Sequence, residues 1–212
     1  MEIHHPHSPF HSWRDFLVEI ATIVIGVLIA LSLEGLREWN HNRSLVEEAR
    51  AALGREIADN KRSVDGDLTQ IDTRKQNLDN ALRFADDIIA TGSTAIHSLS
   101  LNVSLGELSS ASWQTADHTG ALGHMPYVDV QRYAAVYNLQ DLYQAQERRS
   151  LEHLSEALSL ISAHSDPTKA PRADAQQFRD RILLMNGDLY LEQQIGKQLT
   201  DRYAKAVDDK GK

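Results

Sequence analysis

A chain of 212 residues with no cysteine and a formal net charge of −8 excludes several chemistries before any motif is read. Disulfides, zinc-thiolate sites and thiol catalysis have no residue to use, although that absence leaves the compartment open. The first 40 residues hold two basic and five acidic side chains, a balance of −3, so −5 remains for the rest. An acidic domain of this kind is a poor match for nucleic acid, where neutralised phosphates supply most of the affinity.

Residues 1–15 read as a leader in which His4, His5, His7 and His11 surround Pro6 and Pro9, and the two prolines oppose a regular helix. Neutral imidazoles bind zinc, nickel or copper. A polar tail that becomes cationic near pH 6 against anionic lipid is the simpler reading. No metal or cofactor is assigned to it.

Phe16 to Leu36, FLVEIATIVIGVLIALSLEGL, reads as one membrane-crossing helix. From Ile20 to Leu33 there are 14 residues without formal charge, 11 of them Ala, Val, Ile or Leu. At about 1.5 Å per residue they cover about 21 Å, short of a hydrocarbon core of about 30 Å. Extension back through Val18, Leu17 and Phe16 closes most of the gap, with the Glu19 carboxyl turned toward the headgroups or protonated. Trp13 and Trp39 flank the span at the spacing of two interfacial anchors, about 39 Å along a helix. A cleaved signal peptide, with Ala30-Leu31-Ser32 as a weak cleavage site, lacks a positive cluster before the apolar core, and the helical pattern runs on through Trp39. A buried core helix would need an apolar partner surface on nearly all sides, which the remaining chain does not offer. Thr22, Gly26 and Ala30 stand at i, i+4 and i+8, a face of small residues through which two spans can pair as a homodimer.

The run EIATIVIGVLIALSLE, from Glu19 to Glu34, followed by Trp39, resembles the N-terminal signature of a family of bacterial single-pass membrane proteins of unknown function. In that family a Glu-Ile pair precedes an Ile-Gly-Val-Leu-Ile-Ala-Leu core, and an acidic or amide residue and a Trp follow it. The leader HHPHSPFHSWRDF and the segment SASWQTADHTGAL are similar to members of that type. The resemblance implies an anchor in the bacterial inner membrane and a helical domain, and it implies no known activity.

Residues 37–207 read as an all-α bundle domain, with 208–212 as a free tail. The first helix, about 42–90, places Val46, Ala49, Leu53, Ile57, Asn60, Val64, Leu68, Ile71, Lys75, Leu78, Leu82, Ala85 and Ile89 on one stripe at spacings of three or four. Asn60 and Lys75 are the polar members of that stripe, and Gly54 and Gly66 mark weak points where a kink is expected. Its continuity with the span predicts one rod through and out of the membrane. Thr91-Gly92-Ser93 ends the helix. Residues 94–104 alternate Leu99, Leu101 and Val103 like a strand, but no second strand exists to pair with them, so a loop is predicted.

Ser104 with Glu107 forms a capping box for a short helix over about 105–117 that carries Leu108 and Trp113. A turn at Asp117, His118 and Gly120 leads to a helix over about 126–164, whose Tyr133, Tyr137 and Tyr143 are expected to meet Trp113. The linker SDPTKAPRAD, 165–174, precedes a last helix over about 173–207 with Phe178, Ile182, Leu183, Met185, Leu189, Ile195, Leu199 and Tyr203. This order describes an antiparallel helical bundle.

No catalytic constellation stands out, and no enzyme is expected. Asp117, His118 and His124 match neither a HExxH zinc site nor a calcium loop. Ser109, Ser110 and Ser112 lack a GxSxG nucleophile elbow, and no phosphate-binding glycine loop is present. WQTADHTGAL reads as a packing corner, with a ligand groove as the alternative. Near the span, Arg14 on one side opposes Arg37, Arg43, Arg50 and Arg55 on the other, a count that favours a cytoplasmic domain. The basic leaders of similar family members favour a periplasmic one, the reading adopted. The functional expectation is a membrane-anchored scaffold or interaction module with a protein partner. The alternative is a membrane-tethered sensory or ligand-binding domain, which would need an output domain that the chain does not carry.

Overall fold

The computed structural model describes residues 13–103 and 106–208. Among them the regular structure is entirely helical: α1 (Trp13–Thr69), α2 (Ile71–Thr91), α3 (Ala111–His118), α4 (Tyr127–Ser162) and α5 (Arg172–Asp208), with 3-10 turns at Ala121–His124 and Pro167–Lys169. The chain divides into two compact units, Met1–Glu48 and Ala49–Lys212. Residues 1–12 of the His-rich leader and residues 209–212 lie outside the described residues, and Trp13 to Asp15, expected in the leader, are the first residues of α1.

In the first unit, α1 carries its apolar side chains outward from Leu17 to Leu36. One described helix in the chain is long and apolar enough to cross a membrane, and it is α1, whose apolar window has none of its residues buried.

In the second unit, α1 from Ala49 and α2 lie along α5. Asp65 meets Thr200, Arg74 meets Glu192, Phe84 meets Phe178, and Asp86 meets Arg179. Partners descend α5 as the chain ascends α1 and α2, so α5 is antiparallel to both. α4 packs antiparallel to α5 as well, through pairs such as Gln146 with Asp188 and His164 with Asp174. Buried Ala81, Phe84, Ile88, Leu154, Ala157, Phe178 and Ile182 fill one core shared by α2, α4 and α5.

The expected single helix over 42–90 is interrupted, but not at its glycines. Gly54 and Gly66 both lie inside α1, and the helix is broken by Gln70, whose amide donates to Asp67 O at 3.0 Å, a tightened i to i−3 bond. The break also shifts the buried stripe by one residue. Arg74 is 5 % exposed and takes the place expected for Lys75, which is exposed, and Phe84 and Ile88 join Leu78 and Ala85. Gly92 closes α2 with φ +86° and donates its amide to Ile88 O at 2.9 Å, as the Thr-Gly-Ser sequence predicts.

Because α4 runs parallel to α1, the chain must return the length of the bundle before α4 begins, and residues 94–112 make that return. Thr94 bonds to Thr168 O at one end (3.1 Å), and the Ser112 amide reaches Glu56 at the other. Eighteen residue steps at up to about 3.3 Å each are enough to span the rise of about 52 Å that helix makes between Glu56 and Thr91. The strand-like alternation is real, but its partner is helical. Ile96, Leu99, Leu101 and Val103 pack against the core while Ser98, Ser100 and Asn102 face out.

The short helix starts later than its capping box suggests, at Ala111 instead of about residue 105. Residues 106–110 lie outside any helix and are held by side chains of α1 and α4: the Ser109 amide donates to Asn60 Oδ1 at 2.9 Å, and Leu108 O accepts from Gln144 at 3.1 Å. Ser104, the expected cap, lies outside the described residues.

Candidate functional site

Two features need a functional account, one in each unit. The first is the outward apolar helix. Its backbone is internally bonded, and its two hydroxyls donate to carbonyls one turn back, Thr22 to Val18 O at 2.8 Å and Ser32 to Leu28 O at 2.7 Å. Between Ile20 and Leu33 the backbone and hydroxyl groups are thus paired within the helix, and the Glu19 and Glu34 carboxylates flank that stretch. Trp13 and Trp39 are exposed, Trp13 lying 5.6 Å from the Phe16 ring and Trp39 lying under the Arg43 guanidinium at 5.7 Å. Thr22, Gly26 and Ala30 are exposed on one face, and a Cβ at Gly26 would meet nothing within 4 Å.

The second feature is a polar seam through the bundle core. At one end, Glu56 on α1 accepts from the Tyr137 hydroxyl (2.7 Å), the Ser109 hydroxyl (2.7 Å) and the Ser112 amide (2.8 Å). Burial pushes its carboxyl up, but those three donors together hold it below the usual value. Asn60 continues the seam to Ser109 O (2.7 Å) and Gln140 Oε1 (3.0 Å), which in turn accepts from the Tyr203 hydroxyl at 2.6 Å. Four elements are thereby tied together: α1, the return segment, α4 and α5.

Further along, Arg74 of α2 and Glu192 of α5 form a two-pronged ion pair with both side chains buried, one prong at 2.8 Å. Burial acts to lower the Arg74 pKa, and the Glu192 carboxylate more than offsets it. Beside them Glu147 is 3 % exposed, and its Oε1 has no hydrogen-bond partner among the described residues. Burial, then the Glu192 and Asp67 charges, push its carboxyl up to about 8. The Tyr143 hydroxyl also lacks a partner among the described residues. Nearby, Asp188 accepts from Gln146 at 2.8 Å and faces His153 Nδ1 at 2.5 Å.

Of the seam residues, Asn60 and the tyrosines are recognisable from sequence. Glu56, Arg74, Gln140, Glu147, Asp188 and Glu192 are not, although gaps in the apolar pattern point to some of them. Between Tyr143 and Leu151 the stripe must pass through 147 and 150, and between Leu189 and Ile195 through 192.

Trp113 stacks on Tyr137 with centroids 5.3 Å apart and planes at 22°, while Tyr143 lies apart, against Gly196. Gly120 has φ +77°, which fits the packing corner. His118 and His124 are exposed, and among the described residues no group of three His, Cys, Asp or Glu is placed to hold a metal ion. Ser109 and Ser112 belong to Glu56 and not to a histidine. Above Glu56 the surface has an open depression of about 260 Å³ lined by Arg55, Asp59, Asn60, Ser109 and Ser112.

The chain matches no protein-family model, no curated protein and no solved structure.

Proposed function

We propose that this is a membrane-anchored helical scaffold: residues 16–36 span the bacterial inner membrane once, and the bundle presents a rigid surface to a protein partner on the periplasmic side. The observation that carries the reading is the unpartnered apolar helix of the first unit, bracketed by Trp13 and Trp39 at bilayer spacing. The resemblance of EIATIVIGVLIALSLE to single-pass anchors supports it.

A scaffold role for the bundle rests on how its polar groups are used. Every oxygen of Glu56 is committed within the protein, and the depression above it is smaller than the roughly 300–1,000 Å³ of ligand pockets. Trp113 is stacked on Tyr137 and His118 is exposed, an arrangement in keeping with a packing corner. Neither enzyme chemistry nor nucleic-acid binding is proposed.

Within the membrane, Thr22, Gly26 and Ala30 are the proposed pairing face of a homodimer. Gly26→Leu should lower association in a membrane two-hybrid assay by several-fold, and unchanged association would remove this face from the account. The side is tested by fusing alkaline phosphatase or green fluorescent protein after Lys212. Phosphatase activity without fluorescence is expected, and the reverse would place the domain in the cytoplasm.

A further inference from the structure

Helix α5 has two apolar faces, and the core uses only one. Phe178, Ile182, Met185, Leu189, Leu199 and Tyr203 are buried. On the opposite side Leu183, Leu184, Tyr190 and Leu191 are 44 %, 45 %, 63 % and 45 % exposed, with Gly187 open between them. At 100° per residue these positions form one stripe, and it is symmetric about Gly187: leucines at −4 and −3, Tyr and Leu at +3 and +4.

That symmetry has a physical meaning. In a two-fold interface the same patch serves both copies, so a residue and its image must suit each other. Antiparallel pairing of α5 with itself about Gly187 places Leu183 on Leu191, Leu184 on Tyr190, and Gly187 on Gly187, where the missing Cβ lets the backbones approach. One turn further out on each side, Asp180 meets Gln194, a carboxylate against an amide, and then Gln177 meets Lys197. No like charges face each other. Parallel pairing would instead oppose Asp180 to Asp180 and Lys197 to Lys197. The neighbouring cations are engaged elsewhere, Arg179 with Asp86 at 2.7 Å and Arg181 with Glu156 at 3.0 Å, which leaves the stripe itself clear.

We infer that the outward face of α5, centred on Gly187, is a docking surface for the same face of a second copy of this chain, with the two helices antiparallel. Because α1 is continuous from Trp13 to Thr69, two copies joined through antiparallel α5 helices have antiparallel α1 helices. This contact is therefore an alternative to pairing of the spans and not an addition to it within one dimer.

The natural absence of cysteine makes the test direct. The full chain is purified in detergent micelles, where no bilayer fixes one copy's direction against the other. Gly187→Cys is compared with Gln177→Cys under mild oxidation. Two residues at 187 would lie within the roughly 4.4–6.8 Å Cα separation of a disulfide, whereas two at 177 would be about 30 Å apart. At least ten-fold more disulfide-linked dimer is expected from G187C than from Q177C, and Q177C mixed with Lys197→Cys should cross-link. Adding Leu184→Glu and Leu191→Glu to G187C should remove the dimer while the helical circular dichroism spectrum is kept. Cross-linking at 187 and 177 alike would indicate parallel or collisional contact and overturn the inference. So would an intact helical spectrum with no dimer from G187C, the result expected if detergent or lipid covers the face.

Discussion

In the first unit of the chain apolar side chains face outward, and in the second polar side chains face inward. Leu17 to Leu36 expose nearly every apolar group, yet between Ile20 and Leu33 the polar groups are met within the helix, because Thr22 and Ser32 bond back to it, and the carboxylates of Glu19 and Glu34 flank that stretch. The bundle buries Glu56, Arg74, Gln140 and Glu192, and each is bonded to side chains of other elements. The difference teaches that the two parts suit different surroundings. The apolar segment of α1 is long and apolar enough to cross a membrane, whereas the bundle is complete only when α1, α2, the return segment, α4 and α5 are together.

The contrast can be broken most severely at the ion pair. Arg74→Ala would leave Glu192 as an uncompensated buried charge, with an expected loss of about 3–5 kcal/mol in urea unfolding of the full chain in micelles. A loss under 1 kcal/mol would show that the pair is not buried in solution. Glu56→Ala should come next, at about 3 kcal/mol, because the Tyr137 hydroxyl and the Ser112 amide lose their acceptor. It should also free the return segment, read as faster amide exchange over residues 106–112.

Smaller effects follow from pH, and the two buried glutamates have opposite signs. The Glu147 carboxyl, pushed up to about 8, stays protonated in the fold where the unfolded chain has already ionised. Its contribution is therefore fully present below about 4.5 and lost as pH rises toward 8. Glu56 is held low, so its contribution is present above the ordinary carboxyl value and lost as pH falls through its folded pKa. Glu147→Gln should accordingly raise Tm at pH 8 by roughly 2–4 °C, the equivalent of about 1 kcal/mol in a domain this size, with the gain closing at pH 5. A gain that persists unchanged at pH 5 would exclude ionisation as its cause. Smallest of all, Arg179→Ala removes an exposed pair with Asp86 and should cost under about 1 kcal/mol.

Sequence patterning carries the helices and the long apolar segment of α1 well because both rest on local patterning. The apolar run, the Thr91-Gly92-Ser93 stop and the Pro126 start are each set within a few residues of chain. What sequence does not carry is set by distant partners. Residues 106–110 are tied to Asn60 and Gln144 outside any helix, and Gln70, not a glycine, interrupts the long helix. The strand-like run at Leu99 to Val103 shows period-two burial correctly, but period alone cannot tell a neighbouring strand from a groove between helices. The polar seam is legible only as gaps in the apolar stripe, since Glu147 and Glu192 look like solvated positions until the helices are assembled.

The central claim is that residues 16–36 lie in a bilayer. Alkaline carbonate extraction of membranes from cells making the full chain, beside the variant carrying Val24→Lys and Leu28→Lys, tests it most directly. Two lysines at mid-span add about 5–7 kcal/mol to insertion, so the account predicts that the native chain stays in the membrane pellet and the variant moves to the supernatant. A native chain released into the supernatant would contradict it.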